Sequence, residues 1–191
     1  MIDLLRAAAA VEAVCQEHGW RHCFIGGLAL QRWGEVRFTK DADATVFTGY
    51  GDEMTFIAPL LDRFKSRIED AATFAEQRRI LLLESDESVG IDIALGALPF
   101  EEAMVKRATP FLFPPDVPLT TCSAEDLVIT KTFSGRGQDW IDIERILVRQ
   151  QGKLDWTLIK TELNQLLPIK EAEDHLTQLF ALREQVDNYD D

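Results

Sequence analysis

Gly26 and Gly27 are followed, after thirteen intervening residues, by Asp41 and Asp43 with a single alanine between them. The stretch that begins there, ADATVF, reads as a strand. Side chains two residues apart on a strand leave it on the same side, so both carboxylates emerge together. Two unit charges about 4 Å apart at an effective dielectric near 20 repel by about 4 kcal/mol. A protonated pair or a salt bridge would relieve this. A divalent cation does so more completely, and hard ions such as Mg²⁺ or Mn²⁺ prefer carboxylate oxygens.

A third acid belongs to the same pattern. In SVGIDIALG, Val89, Ile91, Ile93 and Leu95 make one apolar face, and Asp92 falls on the other between Gly90 and Ala94. An acid in mid-strand with small neighbours leaves room for a ligand or a metal. Three convergent aspartates suit a two-metal site for in-line phosphoryl chemistry, in which metals hold the attacking and leaving oxygens. Gly26-Gly27 ends one strand and opens a helix, so bare backbone N–H groups there can face an anion such as a triphosphate. Each feature also has a plain reading: Gly-Gly as a turn, Asp-x-Asp as a surface pair, and the strand acid as the partner of a buried arginine.

Around this motif the chain alternates strands and helices. Leu4, Ala8, Val11 and Cys15 keep helical spacing from Asp3 to His18, with Gly19 as the stop. RHCFIGG is a short strand entering the glycine turn, and LALQRW a short helix. GDEMTFIAPLLDRF is helical with a break at Pro59, and RRILLLES with VGIDIALG make an antiparallel hairpin. PFEEAMVKRA is a helix with Pro99 in its first turn. These elements define a core over residues 1–108. Residues 109–122 hold four prolines and are expected to connect two subdomains. From 123 to 191 the pattern is helical: Ser123 and Asp126 form a capping box, Gly152 stops one helix, and Pro168 separates the last two. The fold class is α+β, a mixed sheet flanked by helices and followed by a C-terminal helical region.

The motif IGG, thirteen residues, DADA and a later IDI resembles the signature of the nucleotidyltransferase superfamily that includes DNA polymerase beta. GGLALQRWGEVRFTKDAD is similar in more detail to the bacterial AbiEii-like nucleotidyltransferases of abortive-infection and toxin–antitoxin systems. Those show Gly-Gly-x-Ala-Leu and then Arg-x-Thr-x-Asp-x-Asp, which Arg37, Thr39, Asp41 and Asp43 match. A second block, AEDLVITKTFSGRGQDWIDIERIL, places Lys131, Arg136, Asp139 and Asp142 at that branch's helical Lys, following Arg and Asp-rich helix. The resemblance covers residues 20–150.

The resemblance implies a nucleotidyltransferase that moves an NMP from an NTP to an acceptor hydroxyl, with Asp41, Asp43 and Asp92 on the metals. Gly26 and Gly27 would receive the triphosphate, and Lys131 would offset its charge. Arg37, Thr39 and Lys40 lie beside the carboxylates, where Arg37 and Lys40 either meet phosphate or offset the acids. Asp139 and Asp142 share a helix face and either orient Lys131 and Arg136 or pair with Arg145 at the surface. The implied acceptor is tRNA or another RNA, and the implied partner an antitoxin. A net charge of −13 speaks against a broad RNA-binding face and suits a cationic small molecule such as an aminoglycoside, with a protein hydroxyl as a third option. A non-catalytic binding partner built on the same fold is the rival from another class. Cys15, Cys23 and Cys122 are expected as reduced, buried thiols of a cytoplasmic protein, and His18, His22 and His175 as surface or structural residues. The first residues read as a structural helix and not a signal peptide, and no apolar run reaches the length of about 20 residues that spans a bilayer.

Overall fold

The computed structural model describes residues Ile2–Asn188. The chain divides into two compact units. The first comprises the residues up to Leu28 together with Phe38–Cys122, and the second comprises Ala29–Arg37 with the residues from Ser123 onward.

The first unit runs α1 (Ile2–Glu17), β1 (His22–Phe24), the start of α2 (Gly26–Trp33), β2 (Asp41–Phe47), α3 (Met54–Arg63), β3 (Lys65–Ser66), α4 (Ala71–Arg78), β4 (Ile80–Glu84), β5 (Gly90–Gly96), α5 (Pro99–Arg107), β6 (Thr109–Phe113) and β7 (Val117–Thr121). Its seven strands make one mixed sheet in the order β3-β4-β5-β2-β1-β7-β6. β2 lies parallel to β5 and antiparallel to β1, and β4 pairs antiparallel with β5. Ala42, Ala44 and Val46 of β2, Leu81 and Leu83 of β4, and Ile91, Ile93 and Leu95 of β5 share the core with Leu4, Ala8 and Val11 of α1. Each large aliphatic side chain buried there contributes about 1.5–3 kcal/mol. A slip of one residue would exchange these side chains for the aspartates between them, so core packing pins the register.

The α+β class and the mixed sheet hold, and several local expectations change. Residues 109–122 do not connect subdomains: β6 and β7 form an antiparallel hairpin that completes the sheet. Pro110 is tolerated because β6 is an edge strand, and Pro114 and Pro115 fall in the turn. Pro118 lies away from the one register pair, Phe24 with Thr121, that joins β7 to β1. Pro59 does not break α3, because the carbonyl its missing N–H leaves unserved belongs to exposed Thr55. β3 and α4 fill a stretch in which no element was expected.

The second unit carries α6 (Ala124–Ser134), α7 (Gly137–Arg149), α8 (Trp156–Leu166), a 3-10 turn (Leu167–Lys170) and α9 (Asp174–Asp187), together with the remainder of α2. The Ser123 hydroxyl accepts the Asp126 N–H at 3.1 Å and caps α6. Leu127 and Val128, Ile143 and Ile146, Ile159 and Leu163, and Leu179 bury one stripe from each helix. α9 starts at Asp174, five residues later than Ile169, where the sequence suggests it begins. Among the described residues no helix is long and apolar enough to cross a membrane.

The three cysteines are buried and none forms a disulfide. His22 is structural and charged. Its Nδ1 lies 3.2 Å from the Trp20 carbonyl and its Nε2 2.9 Å from a Glu12 carboxylate oxygen, so both nitrogens face acceptors and both must donate. Glu12 also accepts from the N–H and hydroxyl of Thr120 at 2.9 and 2.8 Å, tying α1 to β1 and β7. Burial works to lower the His22 pKa, but contacts from Cys15 and Glu12 outweigh it and raise it to about 10. Burial works to raise Glu12, and the bonds from His22 and Thr120 bring it down to about 2. The imidazolium therefore stabilises the fold fully below the ordinary His value of 6.5 and loses this as pH rises through about 10. The carboxylate's contribution is present above 4.5 and is lost as pH falls through about 2. Glu12→Gln is expected to cost about 3 kcal/mol in urea unfolding at pH 5.5. The cost shrinks at pH 9, and an equal cost at both values would remove the ion pair from the account.

Candidate active site

The face of β2 and β5 opposite the core carries the three acids. Asp43 is the register partner of Asp92, and Asp41 that of Gly90. Space for these carboxylates comes from missing side chains. A Cβ on Gly26 would run into the Asp43 carboxylate, and one on Gly90 into that of Asp41. Gly26 also has φ +56°, a left-handed conformation that glycine adopts at little cost. A Cβ on Gly27 would lie 2.6 Å from Thr39 Oγ1, so the second glycine admits Thr39.

Gly26 is held next to Asp43 by the backbone, since the Ile25 N–H donates to the Asp43 carbonyl at 2.9 Å. α2 begins at Gly26, and the N–H groups of a helix's first turn have no intrahelical acceptor. The first-turn N–H groups of α2 and the carboxylates thus meet in one small volume of the first unit. Lys40 is exposed immediately before Asp41.

Asp92 has a partner that the sequence reading does not name. Arg67, just past β3, donates to Asp92 Oδ1, with the two side chains 29% and 28% exposed. The arginine pairing weighed for this acid therefore exists, but at a half-open face and not in the core. Burial raises the Asp92 carboxyl above its ordinary range, Arg67 pulls it down, and the Asp41 charge pushes it up again. Among the described residues no group of three or more acids, histidines or cysteines stands in an arrangement that could hold a metal ion as it is. The donor set is nevertheless three carboxylates on one face with glycine-cleared space, which fits a hard divalent ion chemically.

The second block forms a buried ion cluster inside the second unit. Asp142 is fully buried and accepts from Arg37 Nε at 3.0 Å and Nη2 at 2.9 Å, from Lys131 Nζ at 2.7 Å and from Gln138 at 2.9 Å. Asp139 accepts from Lys131 at 3.3 Å and from Arg136 Nε at 2.8 Å. Burial works to raise both carboxyls, but these bonds outweigh it and hold both below the usual range. Asp139 and Asp142 thus orient Lys131 and Arg136; neither pairs with Arg145, which meets Glu35 at 3.2 Å. Lys131 is only 5% exposed, and Arg37 spends its fork on Asp142. Arg37, Lys131 and Arg136 thus meet Asp139 and Asp142, and of the three cations Arg136 has the most exposed side chain, at 78%.

Residues 3–189 match the family described as nucleotidyltransferase of unknown function (DUF6036). The chain belongs to this family. No curated protein matches it. Similar solved structures include the antibiotic-resistance factor ANT(2'')-Ia, at 14% identity over 97% of this chain and 94% of that one, TM-score 0.49. An antigenic nucleotidyltransferase-like protein from Paracoccidioides brasiliensis is 13% identical over 93% and 92%, TM-score 0.48. A CCA-adding enzyme in complex with ATP is 16% identical over 94% of this chain but 47% of its own, TM-score 0.43.

Proposed function

We propose that this chain transfers an NMP from an NTP to an acceptor hydroxyl with the help of a divalent ion. The observation that carries the reading is the parallel register of β2 and β5, which sets Asp43 beside Asp92 and Asp41 beside Gly90, next to the Gly26 start of α2. Asp41, Asp43 and Asp92 would hold Mg²⁺ or Mn²⁺, which when bound supplies positive charge for the phosphate oxygens. The Gly26 and Gly27 N–H groups bind phosphate oxygens, and Thr39 with Lys40 borders them. The acceptor oxygen bonds to the α-phosphorus, the bond from that phosphorus to the bridging oxygen breaks, and pyrophosphate leaves. Asp92, the carboxyl that burial and Asp41 push upward, takes the hydroxyl proton. Lys131, Asp139 and Asp142 act as a framework for Arg136, whose exposed guanidinium would meet a phosphate oxygen.

Likeness to AbiEii-like proteins favours tRNA as the acceptor and a toxin paired with a cognate antitoxin in the cytoplasm. The net charge of −13 favours a second reading, a cationic small molecule of the aminoglycoside kind. Incubation with each α-labelled NTP and Mg²⁺ against total tRNA, an aminoglycoside panel and cell lysate separates them. Label is expected on tRNA or on the drug. Label on protein alone removes both acceptors, and Mg²⁺-independent or absent NTP binding turns the chain into a binding module.

A further inference from the structure

Arg67 sits at the acid cluster without belonging to any motif. Its backbone N–H donates to the Leu82 carbonyl at 3.1 Å, and Leu82 is the β4 register partner of Asp92. One guanidinium nitrogen donates to Asp92, while the other lies 3.0 Å from the point where a Gly90 Cβ would stand. That same point is filled by the Asp41 carboxylate, so a single planar cation faces two of the three acids. Asp92 is bonded to Arg67, and among the described residues no group of three or more acids, histidines or cysteines is arranged to hold a metal ion.

Resting on the functional reading above, we infer that Arg67 is a built-in counter-cation that competes with the divalent ion for Asp92 and Asp41. The guanidinium offsets one of three negative charges and gives Asp92 a directed donor. A divalent ion must displace it, so the bare ion binds weakly. When a nucleotide enters with the ion, its triphosphate offers the displaced guanidinium a new anionic partner, for which a planar fork is well suited. Arg67 thereby makes ion binding depend on the nucleotide, and it acts as a positioning residue through Asp92.

The test is Mn²⁺ binding to the full chain, read as loss of the free-ion electron paramagnetic signal, without nucleotide and with a nonhydrolysable ATP analogue. Arg67→Gln is expected to bind Mn²⁺ alone about tenfold more tightly than the wild type, a difference of about 1.4 kcal/mol. Arg67→Lys, which keeps the charge, stays within about threefold of the wild type. The analogue is expected to tighten Mn²⁺ binding more in the wild type than in Arg67→Gln. Equal or weaker Mn²⁺ binding by folded Arg67→Gln overturns the competition while leaving the functional reading in place. If Mn²⁺ binds neither protein even with the analogue, the functional reading falls and the competition with it.

Discussion

Asp43→Asn is expected to lower nucleotidyl transfer at least about 10³-fold, the equivalent of about 4 kcal/mol at the transition state. The substitution keeps the side chain's shape and removes one of the charges that would hold the ion, so the loss should fall on kcat with the fold intact. Asp43 is half-buried on the face away from the core, and Gly26 keeps the space it occupies. Its Tm should stay within about 3 °C of the wild type, which corresponds to about 1 kcal/mol in a chain of this size. Transfer of labelled nucleotide and thermal unfolding measured on one preparation decide the matter. Undiminished turnover by the folded variant would falsify the assignment of the carboxylate pair to the chemistry.

The second large effect concerns the fold of the helical unit. Asp142→Ala removes the fully buried carboxylate that Lys131 and Arg37 reach at 2.7 and 2.9 Å. Breaking a buried ion pair from one side costs about 3–5 kcal/mol, and here the buried Lys131 ammonium keeps only its longer contact, to Asp139 at 3.3 Å. Adding Lys131→Met to Asp142→Ala should recover at least about 1 kcal/mol, since the under-compensated buried ammonium is gone. Urea unfolding of the two single variants and the double variant reads this cycle. Strict additivity would mean that Lys131 and Asp142 do not stabilise one another. Measuring NTP affinity on Lys131→Met and Arg136→Gln at the same time separates the two roles, because a framework acting through Arg136 cannot raise the Kd for nucleotide beyond that of Arg136→Gln, whereas a direct phosphate contact can.

The two aspartates of β2 and the acid of β5 were legible because strand alternation is a local rule. Once Ala42, Ala44, Ile91 and Ile93 are assigned to the core, Asp41, Asp43 and Asp92 must point the other way. The helix cap at Ser123 was equally legible, since a cap depends on residues within one turn. The hairpin over 109–122 was not. Its prolines argue for a connector until the strand's place at the sheet edge is known, and that place is a property of the whole sheet.

The side-chain partners behaved in the same way. Lys131 and Arg37 read as groups near phosphate, yet they spend their charges on Asp142, which is 105 residues beyond Arg37. Nothing near Arg37 in the chain announces that pairing. Arg67 carries no signal at all, because it follows a two-residue strand in a stretch without periodicity.

By itself, the sequence determined the α+β alternation, the face on which the acids lie and the glycines beside them. These follow from backbone geometry and the burial of neighbouring apolar residues, both of which act over a few positions. Only the tertiary structure decided which cation meets which acid: Arg67 with Asp92, and Lys131 and Arg37 with Asp142. Charge pairing is set by distance in space, and strands and helices far apart in the chain become neighbours only when the sheet and the helices pack.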